Sequence, residues 1–238
     1  LGLSQVFAKD DRSDKVNLAV GVYQDDSGNT PVLEVVKQGQ RRMLDEQISK
    51  AYIAQAGDVK FLSGMSELIL GSINLNLDSA GRVAAVQTPG GCGALRIASE
   101  VLGKSRPDCT VWVSTPTWAN HQPLIGSAGL TIVAYPYYDL NSKTIQFDDM
   151  LAALEQASAG DAVLLHACCH NPTGADLTSA QWDALTKLCK SKDLFPFIDF
   201  AYQGFGQGLQ EDAYGVRKMA AELDELIISA SCSKNFGL

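Results

Sequence analysis

From Arg82 onward, apolar runs of strand length alternate with segments of helical period, and this alternation constrains the fold more than any other feature of the chain. The strand-like runs are 83–87, 110–114, 130–135, 162–167, 195–200 and 226–230. Between and after them, 93–102, 122–127, 149–156, 179–191 and 213–223 have helical spacing. A strand followed by a crossing helix and another strand makes a parallel pair, so the pattern predicts an α/β fold: a mostly parallel sheet with helices on both faces. Strands that are apolar throughout fit burial on both sides. Thr178 and Gln181 form a capping-box pair ahead of Trp182, Leu185 and Leu188, a clear start for the fourth helix.

The first eighty residues are less regular. Turn residues gather at Asp25-Asp26-Ser27-Gly28-Asn29, after a short apolar segment, 16–23, that holds Gly21. Thr30-Pro31 reads as a helix N-cap and first helical residue. Val32, Val35, Val36, Met43, Leu44 and Ile48 then fall on one helical face. A loop around Gly57 precedes a second helix expected over 61–70.

With 238 residues, 46% of them apolar, the chain can build the core of one large domain, or of one domain and part of another. A net charge of -8 and the lack of a basic stripe with interleaved aromatics argue against nucleic acid as a partner. The six cysteines show no CxxC spacing and no disulfide framework, which fits free thiols in a reducing compartment. There is no recognisable secretion signal, and the longest apolar runs are too short to span a membrane. A soluble, cytoplasmic protein is expected. The first residue is Leu1 rather than Met, which suggests a trimmed start.

Ligands of open α/β sheets sit outside the carboxyl ends of the strands. Those ends are chemically rich here. They carry Thr88-Pro89-Gly90-Gly91-Cys92-Gly93, then Thr115-Pro116-Thr117-Trp118-Ala119-Asn120-His121, then Cys168-Cys169-His170-Asn171-Pro172-Thr173-Gly174. The fifth run carries Asp199 near its end and Tyr202 just after it, and Ser231 and Lys234 follow the sixth. The opposite ends are bland, so the asymmetry locates a site.

Each group has two readings. Gly90-Gly91-Cys92-Gly93 at a helix start is either a tight turn or a phosphate cradle of free N–H groups and the positive helix end. It is not a Walker A loop, and Arg96 stands where a dinucleotide fingerprint needs its third glycine. Asp199 in an apolar strand either caps something structural or holds a cation such as a protonated ring nitrogen. His166, Cys168 and His170, spaced by two, raise the question of zinc. A second ligand pair is missing, however, and His121 is the only other histidine, so supporting histidines and no metal is the expectation. Trp118 is core or a stacking surface. Lys234 is a surface lysine or, desolvated between an apolar strand and Phe236, a nucleophile for carbonyls. Together these are the parts that would hold a phosphorylated pyridine aldehyde.

Ser231-Cys232-Ser233-Lys234-Asn235-Phe236-Gly237-Leu238 closely resembles the pyridoxal-phosphate lysine motif of class I aminotransferases, of the aspartate/aromatic branch and of bacterial type. Residues 17–23, 88–95, 168–174 and 199–205 agree with the same family in order. The resemblance implies the large domain of a fold-type I pyridoxal-phosphate transferase. It implies that Lys234 forms the Schiff base and moves the proton, and that Asp199 keeps the pyridine nitrogen protonated. Asn171 and Tyr202 would bond the ring's phenolic oxygen, and Trp118 would stack on the ring. Gly91 and Cys92 N–H groups and the Ser231 hydroxyl would hold the phosphate. Tyr52 would reach the phosphate of the neighbouring subunit in a homodimer. Gly21, Trp118 and Asn171 would lie along the substrate. His121 and His170 would stand behind the ring.

The implied reaction is ping-pong transfer of an amino group between aspartate or an aromatic amino acid and 2-oxoglutarate. Cys92 stands where the family commonly has threonine, which implies somewhat weaker cofactor binding. Family members continue past the lysine, where the arginines that grip phosphate and substrate carboxylate lie. A chain incomplete at its C-terminus is therefore expected, with 1–29 contributing to the small domain and 30–238 forming the large one. Two alternatives stay open: another pyridoxal-phosphate reaction, of lyase or decarboxylase type, and a non-catalytic cofactor-binding or dimerisation protein.

Overall fold

A computed structural model describes residues 2–16, 21, 22 and 24–238, and the chain divides into two compact units. One comprises Leu1–Lys50 with Cys232–Leu238, the other Ala51–Ser231. Most of the apolar segment 16–23 lies outside the described residues.

The first unit contains helices α1 (Gly2–Lys9) and α2 (Glu34–Glu46). The expected turn is present, with Gly28 at φ 78° donating to the Asp25 carbonyl at 2.8 Å, and the Asp25 carboxylate accepting from the Ser27 and Asn29 N–H groups. The helix expected with Thr30 as its N-cap starts three residues later: Leu33 occupies the N-cap and no side chain caps it. None of its residues is buried, and Val35, Met43, Leu44 and the following Ile48 are exposed. The apolar periodicity was sufficient for a helix but did not specify what it packs on. At the chain's end, Phe236 N–H donates to the Cys232 carbonyl and Gly237 N–H to the Lys234 carbonyl, each at 3.3 Å, so the lysine lies in a tight turn.

The second unit begins with α3 (Val59–Leu70), whose N-cap Asp58 accepts from Phe61 N–H at 2.9 Å. After a 3-10 turn at Gly71–Ile73 come α4 (Asn74–Ser79) and α5 (Gly90–Ser105). The stretch 83–87, expected to be a strand, joins no ladder among the described residues. Its backbone contact is Gln87 N–H to the Ala56 carbonyl, 2.7 Å. An apolar run proposes a strand, but only a neighbour with free backbone groups makes one.

The rest follows the alternation: β1 (Thr110–Thr115), α6 (His121–Gly126), β2 (Thr131–Pro136), the hairpin β3 (Tyr138–Asp139) and β4 (Thr144–Ile145), α7 (Phe147–Leu154), β5 (Ala162–His166), α8 (Ser179–Lys192), β6 (Phe195–Phe200), α9 (Tyr214–Glu222) and β7 (Ile227–Ala230). Five parallel strands lie in the order β2-β1-β5-β6-β7. Successive side chains of a strand point to opposite faces, and the core divides accordingly. Val163, Leu165, Ile198 and Phe200 meet Met150 and Leu154 of α7, Trp182 and Leu185 of α8 and Val216 and Met219 of α9. Ala162, Leu164, Phe195 and Phe197 meet Leu95, Ala98 and Leu102 of α5 and Ile125 of α6. The sheet is thus covered on both faces, as the alternation predicted. The capping box at α8 is present, with Thr178 and Gln181 each bonding the other's backbone N–H.

Candidate active site

The carboxyl ends of β1, β5, β6 and β7 and the start of α5 belong to the second unit, and they gather the polar side chains. At the other end of the sheet, Asp161 accepts from Thr110 N–H, Trp112 Nε1 and Ser158 N–H, tying strand starts together.

Helix α5 begins directly in its glycines, three residues earlier than periodicity indicated, and no side chain caps its N-cap Pro89. The glycines are needed sterically. A Cβ on Gly93 would lie 2.9 Å from Pro89 Cδ, and one on Gly91 would lie 3.2 Å from Ser231 Cβ and 3.5 Å from Ser231 Oγ. The buried Ser231 hydroxyl therefore meets the first turn of α5 across a space that any side chain at Gly91 would close. Cys92, in the same turn, is exposed and free. Uncapped N–H groups, a positive helix end and a hydroxyl form a donor set suited to an anion.

Asp199, near the end of β6, has a side chain 12% exposed and a partner that is fully buried: His121 Nε2 lies 2.9 Å from Oδ2. Behind His121 the hydrogen bonds continue. Thr117 Oγ1 lies 2.7 Å from His121 Nδ1 and 3.3 Å from His166 Nε2, and Asn171 N–H donates to His166 Nδ1 at 3.2 Å. The backbone donor fixes the direction of the whole relay. His166 Nδ1 must accept, and burial holds the pKa of this ring well below the usual histidine value, so its single proton is on Nε2. Nε2–H donates to Thr117, the Thr117 hydroxyl donates to His121 Nδ1, and His121 Nε2–H donates to Asp199. Every link points its hydrogen toward the carboxylate, so Asp199 Oδ2 is the terminal acceptor of the relay.

His170 closes the network. Its ring stacks on His166 and on Tyr137, each at 4.1 Å between centroids, and its nitrogens meet Ser114 Oγ at 3.0 Å and Thr173 Oγ1 at 2.9 Å. Burial pushes its pKa down to about 4, so it is neutral near pH 7. Asn171 Nδ2 donates to Tyr202 Oη at 3.4 Å, and burial raises the Tyr202 phenol. Trp118 meets His121 edge-on at 5.3 Å. The spacing of His166, Cys168 and His170 does not build a metal site: among the described residues, no group of three or more His, Cys, Asp or Glu side chains could hold a metal ion.

The second unit therefore holds Gly91, Cys92, Trp118, Asn171, Asp199, Tyr202 and Ser231, and also Tyr52, which is fully exposed. Gly21, exposed, and Lys234, three residues past Ser231 in sequence, belong to the first unit. Two contributors carried no obvious signal in sequence. Thr117 lies in a stretch marked as polar, but its bridging position between two rings is a tertiary fact. Asp176 accepts from Cys169 and His170 N–H groups at 2.7 and 2.8 Å and so shapes the loop that presents Asn171. With Asp176 in place, Cys169 adopts φ 48°, unusual for a residue with a side chain.

The model of the family described as "Aminotransferase class I and II" matches residues 13–238. The chain belongs to that family. It is 46% identical to the aspartate aminotransferase of Salmonella typhi over 238 residues, covering all of this chain and 60% of that protein. It is also 46% identical to the aromatic-amino-acid aminotransferase of Pseudomonas aeruginosa over 239 residues, covering 59% of it. Its fold matches the aromatic-amino-acid aminotransferase of Burkholderia pseudomallei, solved covalently bound to pyridoxal phosphate, with a TM-score of 0.95 and 42% identity over all of this chain and 59% of that one. The cytoplasmic aspartate aminotransferase of Saccharomyces cerevisiae matches at a TM-score of 0.93 and 35% identity, over 99% of this chain and 58% of that one. The chain thus spans about 60% of the length of these relatives, and its sheet and helices are those of fold-type I aminotransferases.

Proposed function

We propose that the chain carries the cofactor-binding core of a pyridoxal-phosphate aminotransferase that moves an amino group between aspartate or an aromatic amino acid and 2-oxoglutarate. The observation that carries this reading is the relay ending on Asp199, a carboxylate that accepts from the buried His121 at the mouth of the sheet. The residues fit the group. The uncapped start of α5 and the Ser231 hydroxyl flank a space that a side chain at Gly91 would fill, which suits a phosphate. Asp199 suits a protonated ring nitrogen, and Asn171 with Tyr202 offers donors for a ring oxygen.

When bound, the cofactor supplies an aldehyde for amines and a ring that withdraws electrons from the substrate's α-carbon. This chain's residues do the rest. Asp199, backed by His121, holds the proton on the ring nitrogen. Gly91 and Cys92 N–H groups and Ser231 anchor the phosphate and fix the ring's position. Trp118 presents its face to the ring, and Tyr202 and Asn171 orient it. Lys234 supplies the amine, and its Nζ takes up and returns the proton at the substrate α-carbon. Gly21, without a side chain, leaves room at the carboxylate end of the substrate.

The same reading makes 1–29 part of a small domain and 30–238 a large one. It makes the protein a cytoplasmic homodimer in which Tyr52 serves the partner's phosphate site. The full exposure of Tyr52 and the uncovered apolar residues of α2 support a dimer, and no helix among the described residues is long and apolar enough to cross a membrane.

To test the reading, the chain is mixed with pyridoxal phosphate, reduced with borohydride and digested, and the labelled peptide is mapped. Label on the peptide containing Lys234 is expected, with loss of the label in Lys234→Ala. A folded chain labelled elsewhere, or not at all, would sink the assignment. Transfer of an amino group from aspartate or tyrosine to 2-oxoglutarate then tests the reaction itself.

A further inference from the structure

Ser229, on β7, is 2% exposed, and its Oγ has no hydrogen-bond partner among the described residues. A buried hydroxyl without a partner destabilises a fold and calls for an explanation. The strand around it is otherwise apolar: Ile227, Ile228 and Ala230. Its place in the sheet is specific. Strand register pairs Ser229 with Asp199 on β6, and Asp199 with His166 on β5. Paired residues on neighbouring strands point to the same face. His166, Asp199 and Ser229 therefore form one row across the sheet, on the face covered by α5 and α6. Asp199 is flanked by the relay on the His166 side and by the orphaned hydroxyl on the other, and the relay uses only Oδ2. Just past the end of β7, Ser231 meets Gly91 at the start of α5.

We propose that Ser229 is a positioning residue for Asp199: its hydroxyl donates to Oδ1, directly or through one bound water, when the carboxylate faces a cationic ring nitrogen. The hydroxyl is a liability in the empty protein and an asset in the loaded one. Two donors on opposite flanks then hold both carboxylate oxygens, fixing the plane of the carboxylate. The inference rests on the proposed cofactor reading and deepens it.

The position makes two predictions of opposite sign, which a residue with a purely structural role would not produce. Ser229→Ala removes the unpartnered hydroxyl, so the cofactor-free protein is expected to melt at a higher temperature than wild type. The same substitution removes a donor to a charged group, so the dissociation constant for pyridoxal phosphate, read by fluorescence titration, is expected to rise about tenfold. Ser229→Cys keeps nearly the same shape but offers only a weak donor, and it is expected to bind the cofactor as weakly as the alanine variant. Unchanged affinity in Ser229→Ala overturns the proposal, and so does affinity fully restored by cysteine, which would trace the loss to a void. If wild type fails to take up the cofactor at Lys234, the reading of the preceding subsection fails first, and no variant comparison is needed to see it.

Discussion

Thr117 shows how one small side chain sets the electrostatics of a site. Its hydroxyl has a single hydrogen, so it can accept from His166 only while donating to His121, and this forces both rings into one tautomer. Thr117→Val keeps the shape and removes the bridge, leaving His166 Nε2–H and His121 Nδ1 without their partner. The expected cost is about 1–3 kcal/mol of stability, measured by denaturant unfolding. Nitrogen-15 spectra are expected to show His121 as a mixture of tautomers. A fixed His121 tautomer in the variant would mean that something other than Thr117 sets the relay's direction. The sequence flagged the stretch containing Thr117 because it follows a strand, but nothing local distinguishes this threonine from Thr115, two residues earlier.

At the scale of elements, α8 and α9 lie against each other through a close fit that needs a glycine. A Cβ on Gly215 would fall 2.2 Å from Trp182 Cδ2 and 2.3 Å from Cε2, well inside contact distance. The indole, 4% exposed, fills the core on this face of the sheet. Gly215→Ala must push α9 off α8 or turn the indole out of its packing. It is expected to cost about 1–3 kcal/mol or more, seen as a lowered denaturation midpoint. Adding Trp182→Phe shrinks the obstacle, so the double variant is expected to lose less than the sum of the single losses. Additive losses would show that the two side chains do not compete for the space. Other element boundaries moved for equally physical reasons. Helix α5 takes in Gly91 and Gly93, where a Cβ would press on Ser231 and Pro89, although propensity alone argued against glycines in a helix.

Over the whole molecule, the buried histidines couple stability to acid. His170 titrates at about 4 in the fold and near 6.5 when unfolded, and burial holds His166 well below 6.5 as well. Because the folded values are depressed, the contribution is fully present above pH 6.5. It is lost as pH falls toward about 4, where the unfolded chain binds protons that the fold refuses. Each histidine is expected to contribute a slope of at most about 1.4 kcal/mol per pH unit in that window. Denaturant unfolding from pH 7.5 to 4.5 reads the slope, and comparison with His170→Gln separates this histidine from the carboxylates that protonate in the same range. A variant with the wild-type slope would rule out His170 as a source.

Sequence alone determined the class of the fold and the end of the sheet where chemistry gathers. Strand and helix periods are local, and polar residues that follow an apolar strand must emerge at its carboxyl end. Asn171, Tyr202 and Ser231 were legible in that way, Asp199 as the one charged residue of an apolar strand, and the start of α8 from the capping pair Thr178 and Gln181. Tertiary structure alone decided whether 83–87 found a strand to pair with, which way the hydrogens of the relay point, and that Ser229 stands beside Asp199. Pairing, register and tautomer depend on groups brought together from distant parts of the chain, and a residue's own neighbours in sequence carry no record of them.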